Sequence, residues 1–169
     1  MLIHSILLAG VLAGPPPAVA RIDAARDARE RIPPAARPHT ALVAVDRAAI
    51  ERLASEGGGL LAMPLGNTRV AQLDLRPIDG MAADARIEVV SADARGRVRT
   101  QPVEMRGAFL AGRVAGEPGT YAFLAVSDAG TFGYVETESN TYIISSGPTG
   151  AGLPTVSYDL TSMPAGVIE

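Results

Sequence analysis

Short apolar runs separated by turn signals fill residues 60–146. In Arg69–Arg76 every second residue is apolar, namely Ala71, Leu73 and Leu75. Because the side chains of a strand point alternately to its two faces, this pattern predicts a half-buried β-strand. Turn signals recur about every 8–12 residues, a spacing typical of a sandwich or barrel. No strand–helix–strand period appears, so a parallel α/β fold is not expected.

The run Thr120–Val126 (TYAFLAV) is apolar at every position after the threonine, which predicts a central strand buried on both faces. Asp128-Ala129-Gly130 then supplies a hairpin loop. The chain returns through residues 132–136, turns at Ser139-Asn140 and runs back through residues 141–145. These segments predict a three-stranded β-meander.

One helix is expected ahead of the strands. Asp46 follows the apolar run 41–45 and is a suitable helix N-cap, and the apolar residues after it share one helical face: Ile50, Leu53 and Ala54. Gly57-Gly58-Gly59 ends the helix and is interpreted as a flexible connector, because no GK[ST] follows as in a phosphate-binding loop. The predicted fold is mainly β, an antiparallel β-sandwich or open barrel with a C-terminal β-meander and one short helix near 47–55.

The first twenty residues have the pattern of a signal peptide. Residues 6–13 form an uncharged apolar run, shorter than the roughly 20 residues that span a bilayer. Ala18-Val19-Ala20 then has the small-x-small form of a signal peptidase site, although no Lys or Arg precedes the apolar run. The alternative is a disordered apolar tail or a mis-assigned start. We expect export to the periplasm or the extracellular space, cleavage between Ala20 and Arg21, and no membrane span afterwards.

These patterns divide the chain into four parts. Residues 1–20 are the predicted signal peptide, and residues 21–39 are an Ala/Arg/Pro-rich linker with little to bury. Residues 40–160 form the predicted β-rich domain, and residues 161–169 form a tail.

Composition removes several classes of function. The 169 residues include no cysteine and two histidines, so disulfides, thiolate chemistry and a zinc site of several His or Cys ligands are not expected. The formal net charge is −3, which gives no electrostatic reason to expect nucleic acid or an anionic membrane as a partner. No catalytic, cofactor-binding or metal-binding residue is assigned, and no cofactor is expected.

Two groups of polar residues are candidates for a catalytic site. Glu136 and Glu138 stand two apart and would share a strand face, as an acid–base pair or as the solvated side of a strand. His39 is the histidine that remains after signal removal, and it lies in the predicted linker without a GxSxG motif to supply a nucleophile. The candidate nucleophiles were Ser127, Ser145, Ser146 and Ser157. In each case the non-catalytic interpretation is favoured.

The meander holds five of the seven aromatic residues: Tyr121, Phe123, Phe132, Tyr134 and Tyr142. Such rings stack on sugars or bases in some proteins. Aromatic residues on adjacent strands more often stabilise the core of the sheet, and this second interpretation is favoured. The phenol ends of Tyr121 and Tyr134 are the parts expected to reach the surface.

Residues 107–146 resemble the N-terminal propeptide domain of bacterial reprolysin-like (adamalysin-type) zinc metallopeptidases. In those domains a GxVxGxPxS run and a glycine-rich hairpin form consecutive strands, and the matching residues here are Gly112, Val114, Gly116, Pro118, Gly130, Gly133 and Tyr142. The resemblance extends loosely over residues 60–160 and includes no catalytic residue. It implies a signal peptide before the domain and a peptidase domain with an H-E-x-x-H helix after it.

The resemblance therefore implies a non-catalytic exported domain that holds or inhibits a zinc metallopeptidase domain. The chain is expected to be either a stand-alone product or the N-terminal part of a longer peptidase precursor. Since many such propeptides restrain the zinc with a cysteine, inhibition by this chain would have to act by covering the cleft. The alternative function is a secreted β-sandwich module that binds surface glycan or protein through its aromatic meander. An enzyme using Glu136 and Glu138 is the third and least favoured hypothesis.

Overall fold

The computed structural model describes residues 18–21, 29–80, 87–93, 95–103, 106–147 and 154–167. An α-helix, α1 (Arg47–Ser55), and a 3-10 helix (Arg37–His39) accompany the described strands. The strands are β1 (Val19–Arg21), β2 (Thr40–Val45), β3 (Gly59–Leu65), β4 (Arg69–Pro77), β5 (Ile87–Ala92), β6 (Val98–Val103), β7 (Gly107–Val114), β8 (Tyr121–Ser127), β9 (Gly130–Glu136), β10 (Thr141–Ser145) and β11 (Val156–Asp159).

Nine of these strands form one antiparallel sheet in the order β1-β2-β11-β10-β9-β8-β7-β4-β3. The two end strands, β1 and β3, lie next to each other, so the sheet curls into a nearly closed barrel. β5 and β6 pair with each other in a separate two-stranded sheet. The prediction of a mainly antiparallel β fold is confirmed, as is the meander, which consists of β8, β9 and β10.

Closure gives the sheet an inner and an outer face, and the inner face forms the core. The alternation predicted for β4 is confirmed, because Ala71, Leu73 and Leu75 are at most 4% exposed. In β8 the inner residues are Ala122, Leu124 and Val126. The prediction that residues 120–126 are buried on both faces is wrong for the outer face of β8, where Tyr121 is 41% exposed. A barrel has one interior, so only every second residue of β8 can lie in it.

Helix α1 packs against the barrel as its sequence predicts. The Asp46 side chain accepts a hydrogen bond of 3.1 Å from the Ala49 amide, which confirms the N-cap. Ile50 is fully buried, and Leu53 and Ala54 pack beside it against the core. The helix contacts β4, β7 and β8, and Arg47 forms an ion pair with Asp128 in the β8–β9 loop. These contacts hold the helix at one end of the barrel.

Gly58, the second glycine after α1, packs closely against the sheet. The Gly58 amide donates to the Leu53 carbonyl at 2.9 Å and closes the helix, and its φ is +96°. A Cβ at this position would lie 2.1 Å from the Leu75 carbonyl oxygen. Position 58 therefore requires glycine for a close approach to β4 as well as for its backbone conformation.

Residues assigned to the linker and the tail pack on the outside of the barrel. Ile32 and Ala36 are 9% and 5% exposed and form a second apolar cluster with Leu42 of β2. Met163 and Val167 pack against the same cluster. The described parts of these segments thus cover the outer face of β2 and β11.

The N-terminal strand also belongs to the barrel. Residues 19–21 pair with Val43–Val45 of β2, and Val19 is 2% exposed in the main core. The predicted signal peptidase site, between Ala20 and Arg21, therefore lies inside β1.

Replacing Leu124 with alanine should lower the free energy of unfolding by about 2–5 kcal/mol, because the side chain is 1% exposed and its removal leaves a cavity in the core. Leu60 is 65% exposed, and the same substitution there should change stability by no more than about 0.5 kcal/mol. Urea denaturation of both variants checks this. Equal effects at the two positions would contradict the assignment of the inner face.

Candidate functional site

The outer face of β8 and β9 carries four aromatic rings, which we call the aromatic face: Tyr121, Phe123, Phe132 and Tyr134. Phe123 lies opposite Tyr134 in the antiparallel register, and Tyr121 lies opposite Glu136. The ring centroids are 5.5 Å apart for Tyr121–Tyr134 and 5.9 Å for Phe123–Tyr134. Those of Phe123 and Phe132 are 6.5 Å apart. The four rings thus form one continuous chain of contacts.

These rings do not lie in the core, contrary to the favoured interpretation. Phe132 is 50% exposed and Tyr121 is 41% exposed, while Phe123 and Tyr134 are half-buried between them. Cross-strand aromatic pairing was expected and is present, but it occurs on the outer face. The fifth aromatic residue of the meander, Tyr142, is 6% exposed and belongs to the core. The face is therefore available to solvent on a rigid support.

The rings are tilted against one another. The planes of Tyr121 and Tyr134 make an angle of 32°, those of Phe123 and Tyr134 an angle of 37°, and those of Phe123 and Phe132 an angle of 55°. Tilted contacts are favourable between aromatic quadrupoles. They also produce a ridged surface with edges and clefts instead of a flat platform.

The sheet residues opposite the rings are small, apolar or acidic. Ala111 and Ala125 lie opposite Phe123 and Phe132, and Ile143 lies opposite Tyr134. None of these cross-strand partners is basic. Partial burial raises the pKa of the Tyr134 phenol, and the adjacent Tyr121 phenol and the Glu136 carboxylate raise this pKa further. The face is thus apolar with a phenol and carboxylate border.

Apart from the aromatic face, the chain has a groove where the segment before β2 and the residues after β11 meet the sheet. It is an apolar groove of about 290 Å³, and the residues that line it include Ile32, Ala36, Val156, Tyr158 and Met163. Burial raises the pKa of the Tyr158 phenol at its wall. Two segments distant in sequence create this groove, and no motif in either of them predicts it.

The two carboxylates weighed as an acid–base pair are exposed. Glu136 ends β9, and Glu138 lies in the following turn. Thr137 and Asn140 hold this turn, since the Thr137 hydroxyl donates to the Asn140 carbonyl at 2.9 Å. Neither carboxylate lines this groove.

The four serines weighed as nucleophiles bond to backbone groups. Ser127 accepts from the Ala129 amide at 3.2 Å, Ser145 from Gly147 at 3.0 Å and Ser146 from Thr131 at 2.9 Å. Ser157 is fully buried and accepts from the Gly66 amide at 3.1 Å. These hydroxyls stabilise turns and strand ends.

His39 ends the 3-10 helix next to the β3–β4 turn, where its carbonyl oxygen would be 3.1 Å from a Cβ at position 66. Among the residues described here, no group of three or more His, Asp or Glu side chains is arranged to hold a metal ion.

Comparison of the chain with models of protein families and with curated proteins gives no match. In the part of the chain that the structure describes, none of the helices has the length and apolar character needed to cross a membrane.

The pKa of Tyr134 should fall towards its ordinary value when Glu136 is replaced with glutamine, because a negative charge near the phenol is removed. Part of the shift should remain, since burial is its largest cause. An NMR pH titration of ¹³Cζ-labelled tyrosines checks this. Tyr158, whose pKa is raised by burial alone, is the internal control and should not respond. A Tyr134 that titrates normally in the unmodified protein would contradict the described packing.

Proposed function

We propose that this chain is a non-catalytic, exported binding domain that holds a zinc metallopeptidase domain, and that the aromatic face is its contact surface. The resemblance of residues 107–146 to metallopeptidase propeptides suggests the identity of the partner. One structural observation supports the surface: Phe132 and Tyr121 stay 50% and 41% exposed on the outside of a filled barrel. Contiguous exposed apolar groups of this kind are typical of interaction sites.

The construction of the barrel favours binding by the outer surface. Leu110, Leu124 and Val135 fill its interior and are at most 1% exposed, so β8 and β9 are backed by a packed core. Rings mounted on such strands lose little conformational freedom on binding. Tyrosine and other large aromatic residues are also the side chains that most often dominate the binding energy of an interface.

The geometry of the rings favours a protein partner over a glycan. Sugars stack on the flat faces of aromatic rings, whereas the planes here are tilted by 32° to 55°. A ridged apolar surface instead accommodates side chains between its rings. The glycan alternative is supported by the Tyr121–Tyr134 pair, whose phenol groups are suited to hydrogen bonds with sugar hydroxyls.

The chain would restrain the peptidase by covering part of the peptidase surface. The chain has no cysteine, so it supplies no thiolate to occupy a zinc ion. An apolar face pressed against the rim of a substrate cleft would exclude peptides without any contact to the metal. The same contact would protect apolar peptidase surface from aggregation while the catalytic domain folds.

The test is to mix the chain with a zinc metallopeptidase domain of the reprolysin-like class and to measure the hydrolysis of a peptide substrate. The unmodified chain should slow hydrolysis, and Phe132→Ser should weaken the complex at least tenfold, because an exposed interface aromatic is lost. Val70→Ser is the matched control, since Val70 is 62% exposed on β4 and lies outside the aromatic face. Both variants should retain the melting temperature of the unmodified chain.

Unchanged hydrolysis together with no detectable complex would contradict the peptidase partner. If the chain instead binds a surface polysaccharide, and Phe132→Ser but not Val70→Ser abolishes that binding, the glycan-binding function replaces it. Equal effects of the two substitutions in either assay would exclude the aromatic face as the contact surface.

A further inference from the structure

Cleavage at the predicted signal peptidase site, between Ala20 and Arg21, would remove two of the three residues of β1. Val19 lies opposite Val45 and Ala20 opposite Ala44, and the Val19 side chain is 2% exposed in the core. Cleavage after Ala20 would leave Arg21 as the first residue and remove Ala18, Val19 and Ala20 from the barrel. The core would then lose a buried side chain at the edge of β2.

The same step would break a backbone contact at the end of β2. The Asp46 amide donates to the Ala18 carbonyl at 2.8 Å, next to the N-terminus of α1. Arg21, on the other side of the cleavage point, donates from Nη2 to the Gly66 carbonyl at 3.1 Å. Processing would therefore leave Asp46 without this acceptor, while Arg21 keeps its anchor on the β3–β4 turn.

The barrel is already open beside this position. β1 and β3 lie side by side, yet no ladder of hydrogen bonds joins these two described strands. A groove of about 370 Å³ lies between them and α1, and its lining includes Ala18, Leu53, Leu60, Leu61 and Gln72. Loss of residues 18–20 would extend this groove along the free edge of β2.

We propose that signal-peptide removal converts the position of residues 18–20 into a strand-acceptor slot, bounded by Val43–Val45 of β2 and the facing edge of β3. The slot binds an extended peptide that adds to β2 as a strand. Cleavage is hydrolysis by a signal peptidase: water adds across the peptide bond, the Ala20 carbonyl becomes a carboxylate and the Arg21 nitrogen becomes an ammonium group. This inference rests on the proposed export and is independent of the peptidase contact.

The groups around the slot define its ligand. A free strand edge presents amide and carbonyl groups that pair with an extended backbone. The place of Val19 accepts one apolar side chain, and its neighbours Ala18 and Ala20 are small. The new ammonium group of Arg21 would lie next to position 20, where the peptide ends, and it favours a carboxylate. The ligand is therefore a peptide C-terminus of the form small–apolar–small.

The experiment compares the exported chain with intact chain produced without export, in which β1 fills the slot. Mass spectrometry first identifies the N-terminus of the exported chain, which should be Arg21. A fluorescent peptide of residues 16–20 with a free carboxylate is then titrated into both proteins. The exported chain should bind it at least tenfold more tightly than the intact chain, because only its slot is empty.

Two altered peptides and one protein variant serve as controls. Val19→Asp in the peptide should weaken binding at least tenfold, since the charge would enter the core. A C-terminal amide should weaken it several-fold, since the charge pair with Arg21 is lost. Phe132→Ser in the exported chain should leave peptide binding unchanged, which separates this site from the aromatic face. An exported chain that retains residues 18–20, equal binding by both proteins, or equal binding of all three peptides would overturn the proposal.

Discussion

The structure depends on the junction at which a nine-stranded sheet meets itself. Gly66 lies at this junction, in the turn between β3 and β4, with a φ of +55°. Its amide donates to the fully buried hydroxyl of Ser157 on β11, and its carbonyl accepts from Arg21 on β1. A Cβ at position 66 would lie 3.1 Å from the His39 carbonyl oxygen, so glycine allows this close approach without a shift of the neighbouring backbone. These contacts connect the two ends of the sheet.

Closure of the sheet into a barrel determines which side chains face the interior and which face outward. One interior accepts one face of every strand, and in β8 that face carries Ala122, Leu124 and Val126. The larger residues at the alternate positions, Tyr121 and Phe123, are then forced outward, where they meet Phe132 and Tyr134 of the next strand. The aromatic face is thus a consequence of the same constraint that forms the core.

Local signals in the sequence predicted the helix and the strands. Which face of each strand lies inside depended on closure of the sheet into a barrel. The Asp46 cap and the alternation of Ala71, Leu73 and Leu75 are local and were confirmed. In residues 120–126 both faces are apolar, so alternation carried no information about which face lies inside. The groove around Tyr158 was not predictable because residues 31–40 and 154–167 meet there only in the folded chain. The resemblance to metallopeptidase propeptides stays a prediction, as does export.

The most direct test of the aromatic face as a binding surface is NMR of the chain with ¹³C-labelled Phe and Tyr rings while a zinc metallopeptidase domain is added. Phe132 and Tyr121 are exposed, whereas Tyr142 is a 6% exposed core ring in the same meander and serves as the internal reference. The ring signals of Phe132 and Tyr121 should shift or broaden, and those of Tyr142 should stay unchanged. A saturated complex in which Phe132 and Tyr121 keep their free-state signals would contradict it.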